Sequence, residues 1–502
     1  MAQYNCAEDA CLNLPAEIWS TDGVRRIDRA AVVEAGIPGY TLMQRAAQAA
    51  LELAFARYPE ARRWAIVCGG GNNGGDGYAL ARLAAGQGIR VRVVSLVPEA
   101  ALGGDAATAC RDFIAAGGSA ESWDGILDPD AELVVDAILG SGLARSVEGT
   151  FAAAVAEVCR HEAPVIALDV PSGISGDTGE VIGCAVRADE TITFVGLKSG
   201  LFLADAPDFV GRLSFADLDI PPACRASVPP LLRRISDEVI RQNLPPRRRN
   251  SHKGDFGHLL LVGGGRGMPG AIRLGGDAAL RTGAGRVSIA THPAHASVIA
   301  AGRPELMCHG IESASELEAL LDRVSVVAVG PGLGTDAWAS ELLATVFASG
   351  LPAVVDADGL NLLAAKPLKR NNWILTPHPG EAARLLGSAT AAIQKDRIRA
   401  VTDLQRRFGG TVVLKGAGTL VAADGGPPWL CTAGNPGMAA PGMGDLLTGV
   451  IGSLLAQGLT VENAAVTGVQ VHARAGDSAS GEAQRGLIAS DLLPALRTEV
   501  NP

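Results

Sequence analysis

The stretch GNPGMAAPGMGDLLTGV, residues 434–450, places a glycine-rich turn directly before an apolar run with the length of a helix. Gly442 and Gly444 leave backbone N–H groups free where that helix begins, and such groups bind oxyanions and phosphoryl groups. Asp445 follows at once, in a position to accept a proton from a hydroxyl group. The stretch indicates chemistry at a phosphate, and a glycine-rich helix cap without a ligand is the alternative.

Outward from this turn, strand-like apolar runs alternate with segments of helical length in both halves of the chain. The runs are WAIVC (64–68), VRVVSLV (91–97), ELVVDAIL (132–139), PVIALDV (164–170), ETITFVG (190–196), HLLLVGG (258–264), RVSIAT (286–291), VSVVAVG (324–330), PAVVDA (352–357), NWILTP (372–377) and TVVLKG (411–416). The alternation predicts βαβ units and parallel sheets. Prolines at 229 and 230 and a basic segment at 244–257 interrupt it. We therefore predict two α/β domains, residues 1–228 and 229–502.

The composition fits two loop-rich α/β domains. The chain has 502 residues, 63 glycines, 28 prolines, 48% hydrophobic residues and only 4% aromatic residues. Its formal net charge of −10 gives no general attraction to nucleic acid or anionic lipid. Nine cysteines without a C-x-x-C pair indicate a reducing cytosol. No run reaches the roughly 18 to 20 apolar residues of a membrane helix. We expect a soluble, cytoplasmic protein without nucleic-acid or membrane partners.

A second glycine-rich turn, CGGGNNGGDGYALAR (68–82), follows a strand and opens a helix. Its glycines match the G-x-G-x-x-G pattern of NAD-binding turns. However, the next strand ends without an acidic residue to hold a ribose, and Asp76 would repel a pyrophosphate. The amides of Asn72 and Asn73 and the carboxylate of Asp76 instead favour a polar ligand or a hard cation.

Polar residues also follow other strands of the first half. Asp136 precedes the loop Gly140-Ser141-Gly142, and Asp169 is followed by a tight turn with Ser172. Because the carboxyl ends of parallel strands meet at one edge of a sheet, we expect these residues to converge with the glycine-rich turn. Lys198 is a candidate for the same site. Taken singly, each Asp is open to interpretation as a helix cap, and the lysine as a surface residue.

These motifs carry a resemblance to known families. GGGNNGGDGY, VVDAILGSGL and ALDVPSGISGDTG resemble the YjeF N-terminal epimerase family over roughly residues 12–220. The second half resembles the ribokinase-like NAD(P)H-hydrate dehydratase family through SHKGDFGHLLLVGGGRGMPGAIRLGGDAALRTGAG (251–285), GPGLG (330–334), DADGLNLL (356–363), LTPHPGEAARLL (375–386), LKGAGT (414–419) and the 434–450 stretch. The resemblance implies an N-terminal Rossmann-like three-layer sandwich and a C-terminal ribokinase-like α/β domain.

The function implied by the resemblance is repair of NADH or NADPH whose nicotinamide ring has gained water at C6. The N-terminal domain would interconvert the R and S hydrates. The C-terminal domain would dehydrate the S hydrate, with ADP as the phosphate donor and Mg²⁺ accompanying the nucleotide. The partners are then small molecules, and a homo-oligomer is expected.

The resemblance also implies site residues. The epimerase substrate would contact Asn72, Asn73, Gly74, Gly75, Asp76, Gly140, Ser141, Gly142, Leu143, Ala144, Arg145, Ser146 and Asp169. Asp169 would transfer the proton, and a potassium ion would be held by Asn73, Asp136 and Ser172. The dehydratase substrate would contact Ala271, Gly332, His378 and Asp445, with Asp445 as the catalytic base. The nucleotide would contact Lys415, Gly416, Ala417, Gly418, Thr419 and Gly444.

Two other functions stay open at this point. A small-molecule kinase of the ribokinase class uses the same Gly-x-Gly-Asp arrangement and ends at a stable phosphate ester, with the first half as a non-catalytic ligand-binding domain. An NAD-dependent dehydrogenase is the other alternative, and the missing ribose-binding carboxylate counts against it.

Overall fold

Residues 14–143, 145–481 and 483–502 are described by a computed structural model of the chain. The chain divides into two compact units, the first ending at Leu232 and the second beginning at Arg233. The boundary that the sequence suggests, after residue 228, falls just before this division.

A parallel sheet forms the centre of the first unit. The strands of the first unit are β1 (Glu17–Trp19), β2 (Arg63–Cys68), β3 (Arg90–Ser95), β4 (Ala120–Ser122), β5 (Leu133–Ala137), β6 (Val165–Leu168), β7 (Glu190–Phe194), β8 (Leu197–Lys198) and β9 (Arg212–Ala216), and all except β1 and β8 belong to this sheet. The spatial order is β4-β3-β2-β5-β6-β7-β9, with every neighbouring pair parallel. β1 and β8 also pair in parallel.

Helices cover both faces of this sheet. They are α1 (Thr21–Val33), α2 (Gly39–Arg57), α3 (Asn72–Gly86), α4 (Gly104–Ala115), α5 (Gly149–Arg160) and the short α6 (Pro222–Ala226). Successive side chains of a strand point to opposite faces. Ile66 and Val135 accordingly pack with α1 to α4, whereas Val67 and Val134 pack with α5. The predicted three-layer α/β class is confirmed.

Two glycines of the 68–82 turn serve close packing of the backbone where β5 ends. A Cβ at Gly69 would lie 1.9 Å from the carbonyl oxygen of Ile138, and a Cβ at Gly74 would lie 2.0 Å from the carbonyl oxygen of Gly69. Only a residue without a side chain fits at such distances. The glycine pattern therefore brings the start of α3 against the loop that follows β5.

The second unit is also built on a largely parallel sheet. Its strands are β10 (Leu232–Arg234), β11 (His258–Val262), β12 (Arg286–Thr291), β13 (Met307–Gly310), β14 (Val326–Val329), β15 (Ala353–Val355), β16 (Trp373–Leu375), β17 (Thr411–Leu414), β18 (Thr419–Ala422) and β19 (Trp429–Cys431). The order is β13-β12-β11-β14-β15-β16-β17-β18-β19-β10. β18 runs antiparallel to both β17 and β19.

The helices of the second unit pack around a core of aliphatic side chains. They are α7 (Asp237–Asn243), α8 (Pro269–Thr282), α9 (Pro293–Gly302), α10 (Ala314–Leu321), α11 (Ala337–Ala348), α12 (Ala357–Ala365), α13 (Pro379–Leu386), α14 (Thr390–Lys395), α15 (Arg397–Phe408), α16 (Met443–Ala456), α17 (Val461–Ser480) and α18 (Leu492–Glu499). Within the residues described, no helix combines the length and apolar character needed to cross a bilayer.

Each apolar run of the sequence overlaps one observed strand. β12 coincides with its run at 286–291, and β2 and β3 each begin one residue before their runs. Short strands such as β4 (AES) and β13 (MCHG) were not predicted. Both lie at a sheet edge and are partly exposed, so they carry no apolar run that would indicate a strand.

Candidate active sites

Asp136 and Ser172 form the innermost part of the first site, where β5 and β6 end. Asp136 is fully buried and accepts hydrogen bonds from the Ser172 hydroxyl at 2.6 Å and from the amides of Ser172 and Ile138 at 2.8 and 3.1 Å. The Ser172 hydroxyl also accepts from the Leu139 amide at 2.8 Å. Burial raises the pKa of Asp136 to about 6, although its three hydrogen bonds oppose that shift. The hydrogen bonds of Asp136 and Ser172 therefore connect Leu139, where the loop after β5 begins, to the turn after β6.

Asp169 is held in place by Lys198. Asp169 has φ of +67°, a strained conformation for a side-chain-bearing residue, and its carboxylate accepts from the Lys198 ammonium at 2.5 Å and from the Ser141 amide at 3.0 Å. Lys198 is only 1% exposed and also donates to Thr193 and to the Phe194 carbonyl. Burial opposes the charge of Asp169, but Lys198 outweighs it and holds the pKa of Asp169 below its usual value.

Asn73 and Asp76 face this ion pair from the first turns of α3. The side-chain Oδ1 and Nδ2 of Asn73 are buried and have no hydrogen-bond partner among the described residues. Burial, followed by the negative charges of Asp169 and Asp28, raises the pKa of Asp76 well above its usual value. A Cβ at Gly140 would lie 3.0 Å from Oδ2 of Asp169 and 3.3 Å from Cγ of Asn73, so the glycine lets these groups approach.

The rest of the predicted epimerase site lies around the same loop. Gly74 and Gly75 are buried in α3, a Cβ at Gly142 would lie 3.5 Å from the guanidinium of Arg25, and a Cβ at Gly183 would lie 2.8 Å from the Ser146 hydroxyl. Leu143 packs against the core, whereas Arg145 is exposed. Ala144 lies outside the described residues.

Asp28 lies near Asp76 and Asp169, and the sequence analysis did not predict it as a site residue. It lies on α1, where burial raises its pKa and the charges of Lys198 and Asp169 act on it. A signal was available, because Asp28 interrupts the helix face on which Val24, Ile27 and Ala31 are buried. An acid on the inward face of an amphipathic helix indicates either a paired or a functional carboxylate.

In the second unit, Asp356 organises the site where β15 ends. It is 1% exposed and accepts hydrogen bonds from the Lys415 ammonium at 2.7 Å, from Thr376 at 2.8 Å and from Thr448 at 2.8 Å. Burial alone would lower the pKa of Lys415, but Asp356 and then Glu381 outweigh it and raise that pKa. Sequence analysis assigned no role to Asp356, although an aspartate directly after a buried strand was the signal used in the first half.

Asp445 lies at the start of α16, across a cavity from this ion pair. Gly442 precedes α16 with φ of +88°, the left-handed region that favours glycine. Burial, and then Asp356, raises the pKa of Asp445 to about 6, while Lys415 opposes the shift. The cavity measures about 430 Å³ and is lined by Asp356, Ala357, His378, Pro379, Glu381, Lys415, Gly416, Gly442, Gly444 and Asp445.

His378 caps helix α13 and faces the cavity. Its Nδ1 accepts from the Gly380 amide at 3.0 Å, and its own amide donates to Glu381 at 2.8 Å. Burial, followed by the charge of Lys415, lowers the pKa of His378, so its imidazole is neutral at pH 7. The histidine is thus a cap whose ring also lines the cavity.

The predicted nucleotide turn lies between β17 and β18. Gly416 has φ of +136° and Gly418 has φ of +64°, and the Thr419 hydroxyl donates to the Gly416 carbonyl at 2.8 Å. Ala417 is exposed at the tip. A Cβ at Gly444 would lie 3.2 Å from Nζ of Lys415, so the turn and the start of α16 face each other.

Ala271 and Gly332 lie next to each other but do not belong to the described lining of the cavity. A Cβ at Gly332 would lie 3.2 Å from Cβ of Ala271. Ala271 belongs to α8, and a Cβ at Gly442 would lie 2.7 Å from Leu274, one turn further along that helix. α8 therefore connects these two residues to the start of α16.

Both halves of the chain are similar to known proteins. A family model for NAD(P)H-hydrate dehydratase matches residues 259–497, and a model for the YjeF-related protein N-terminus matches residues 39–200. A ribokinase-like superfamily protein from Enterococcus faecalis V583 has a similar structure, with a TM-score of 0.50 and 29% identity over 54% of this chain and 95% of that one.

Two curated relatives cover nearly the whole chain. The bifunctional NAD(P)H-hydrate repair enzyme Nnr of Coxiella burnetii is 45% identical over 97% of this chain and 99% of its own length. The enzyme of the same name from Escherichia coli K12 is 42% identical over 98% of this chain and 95% of its own length. The chain therefore belongs to the family of bifunctional NAD(P)H-hydrate repair enzymes.

Proposed function

We propose that residues 1–228 carry the epimerase activity of a bifunctional NAD(P)H-hydrate repair enzyme and residues 229–502 its dehydratase activity. The protein interconverts the R and S hydrates of NADH and NADPH, and dehydrates the S hydrate at the expense of a nucleotide. The observation that carries the assignment of the dehydratase is the cavity in which Asp445 faces the Lys415–Asp356 ion pair. Full-length similarity to repair enzymes does not favour a kinase fused to a non-catalytic domain.

Dehydration requires a better leaving group than hydroxide. Asp445 accepts the proton of the C6 hydroxyl as the oxygen attacks the terminal phosphoryl group of ADP, and AMP leaves. Phosphate then departs from C6 while a proton leaves C5, which restores the dihydronicotinamide ring. The amides of residues 442–444 are placed to hold the transferred phosphoryl group, and Lys415 supplies positive charge to the nucleotide phosphates. Mg²⁺ enters as part of the Mg²⁺–nucleotide substrate.

Epimerisation inverts the configuration at C6. Asp169 accepts the hydroxyl proton as the C6=O bond forms and the electron pair of the C6–N1 bond moves onto N1. When N1 attacks the other face of C6, the electron pair of C6=O returns to the oxygen, which takes the proton back from Asp169. Lys198 fixes the carboxylate at 2.5 Å and keeps it ionised, so Lys198 is a positioning residue.

A potassium ion fits beside Asn73, Asp136 and Ser172. The side-chain oxygen of Asn73 is buried without a hydrogen-bond partner among the described residues, which leaves it available to a cation. Amide, carboxylate and hydroxyl oxygens are ligands for hard cations, and their combined charge of −1 suits a monovalent ion. When bound, the ion would neutralise the charge of Asp136.

The function is tested with purified protein on mixed R and S hydrates, comparing ADP with ATP. We expect NADH absorbance to return, and the R hydrate to be consumed because it is converted to the S hydrate. A stable phosphorylated hydrate as the end product would instead identify a kinase. The homo-oligomeric state and the cytoplasmic location stay predictions, checked by light scattering and by fractionation.

Lys415→Ala is expected to weaken ADP binding by about tenfold or more and to change the KM for the S hydrate little. The variant removes the ammonium that faces the start of α16, and leaves Asp356 without its ion-pair partner. Isothermal titration with ADP measures the effect, and Lys366→Ala, at an exposed lysine, is the matched control. Unchanged ADP affinity would remove Lys415 from the nucleotide site.

Dehydration is expected to fall as the pH drops through about 6, the pKa to which burial raises Asp445. A general base acts only when ionised, so kcat/KM should be constant above that pKa and decline about tenfold per pH unit below it. In Lys415→Ala the decline should begin at higher pH, because Lys415 opposes the rise of this pKa. A profile that stays flat down to pH 4.5 would contradict the role of Asp445.

A further inference from the structure

Arg397 is a buried cation beside the predicted nucleotide turn, and no acidic side chain of the described residues forms an ion pair with it. It is the first residue of α15 and is 5% exposed. Within the described part of the chain it forms no ion pair, its Nε has no hydrogen-bond partner, and burial lowers its pKa to about 10. At neutral pH it stays protonated. A buried charge of this kind is costly unless something compensates for it.

The guanidinium is directed at the carbonyl side of the turn between β17 and β18. Its Nη2 donates to the carbonyls of Leu414, Lys415 and Gly418 at 3.3, 3.3 and 3.4 Å, and its Nη1 donates to Gln394 at 2.8 Å. A Cβ at Gly416 would lie 3.1 Å from Nη1, so the guanidinium lies directly against this glycine. One side chain therefore holds three carbonyl groups of the turn.

The amide side of the same turn is free. The N–H groups of Gly416, Ala417 and Gly418 donate no hydrogen bond to any described residue. In a trans peptide the carbonyl and the following N–H point in opposite directions. Because Arg397 holds the Lys415 carbonyl, the Gly416 N–H points away from the guanidinium, and Gly416 lines the cavity. Successive free amides of this kind bind anions.

We propose that Arg397 is a positioning residue for the phosphates of the nucleotide: it fixes the turn through the carbonyls of residues 414, 415 and 418 and so directs the Gly416 amide at the phosphates, which compensate its charge across the turn. This inference rests on the proposed function of the turn as the nucleotide site. Asp356 neutralises the charge of Lys415 in the absence of a ligand. Arg397 has no such partner among the described residues, so its charge is available to interact with a bound anion.

Two substitutions of Arg397 in the full-length protein separate the effect of its hydrogen bonds to the turn from the effect of its charge. Arg397→Met removes both the charge and the hydrogen bonds, and should raise the Kd for ADP by about ten- to a hundredfold. Arg397→Lys keeps the charge without the fork of donors, and should raise it by about threefold or more. The Kd for adenosine and the KM for the S hydrate should stay within about twofold of wild type, because neither depends on those phosphates.

Arg399→Met is the matched control. Arg399 belongs to the same helix, its side chain is 78% exposed, and its loss changes the net charge equally. It should leave the Kd for ADP unchanged. Thermal melting of each variant shows whether it folds, and if Arg397→Met does not fold, Arg397→Lys decides.

Three results would overturn the inference. If Lys415→Ala weakens ADP binding but neither Arg397 variant does, the nucleotide site stands and Arg397 has no part in it. If Lys415→Ala and the Arg397 variants all leave ADP binding unchanged, the proposed nucleotide turn is wrong and this inference falls with it. If ADP, adenosine and S hydrate are all weakened equally, Arg397 has only a general structural role.

Discussion

Asp445→Asn is expected to abolish dehydration of the S hydrate while exchange between the R and S hydrates continues at the wild-type rate. Asn has nearly the same shape as Asp but takes no proton, and loss of a general base costs about two to four orders of magnitude in rate. The cavity gives Asp445 the environment of a base, because burial raises its pKa to about 6 while leaving it ionised at neutral pH. The return of NADH absorbance from pure S hydrate and ADP measures the effect.

The thermal stability of the Asp445→Asn variant distinguishes a general base from a residue that only caps the helix. A carboxyl group whose pKa is raised on folding destabilises the folded state at pH values above its unfolded pKa, and the loss is complete above the folded pKa. Asp445→Asn should therefore leave the Tm at pH 7.5 unchanged or higher. Asp424→Asn, at an exposed turn, is the control for the substitution itself. A variant that dehydrates within a few-fold of wild type would show that Asp445 only caps α16.

Asp136→Ala is expected to slow R to S exchange by on the order of a hundredfold and to leave dehydration of pure S hydrate unchanged. The substitution leaves the amides of Ile138 and Ser172 without their acceptor, and the Ser172 hydroxyl keeps only the Leu139 carbonyl as an acceptor. Each buried group left unsatisfied costs about 1 to 3 kcal/mol. Ser172, whose hydroxyl binds both the amide and the carbonyl of Leu139, is then held less firmly, and so is the loop that brings Gly140 between Asn73 and Asp169.

The proposed potassium site adds a readout that does not depend on turnover. In wild type we expect KCl to raise the Tm more than an equal concentration of NaCl, and in Asp136→Ala this difference should vanish. Asp130→Ala, at a carboxylate whose side chain is 75% exposed, should keep it. Normal exchange together with a preserved potassium effect would make Asp136 a structural acceptor and end its assignment as a metal ligand.

Much of the epimerase site was accessible from sequence because strand ends are local features. Asp136 lies near the end of the apolar strand β5, Asp169 and Ser172 lie just after β6, and parallel strands present their carboxyl ends at one edge. Asp28 was not predicted because it lies within helix α1 and is distant in sequence from the end of any strand in this sheet. Its proximity to Lys198 depends on how α1 packs on the sheet, which the helical pattern alone does not specify.

In the dehydratase half, the sequence indicated the glycine turn before Asp445 and the nucleotide turn after β17, because both depend on backbone conformations that glycine permits locally. It did not indicate that Asp356 would join Lys415, 59 positions away, and Thr448, 92 positions away. Nor did it indicate that Arg397 would hold the carbonyls of the nucleotide turn.

The sequence by itself determined the α/β class, the order of the elements and the glycine turns, because strand period, helix length and the conformational freedom of glycine act over a few residues. The tertiary structure alone decided which charges are buried together and which amides stay free. Those outcomes depend on contacts between distant segments, whose burial sets the local dielectric and therefore the pKa values and ion pairing. The sequence does not distinguish a paired charge from an unpaired one. Only packing pairs Lys198 with Asp169 and Lys415 with Asp356, leaves Arg397 without an ion pair among the described residues, and raises the pKa of Asp445 to about 6.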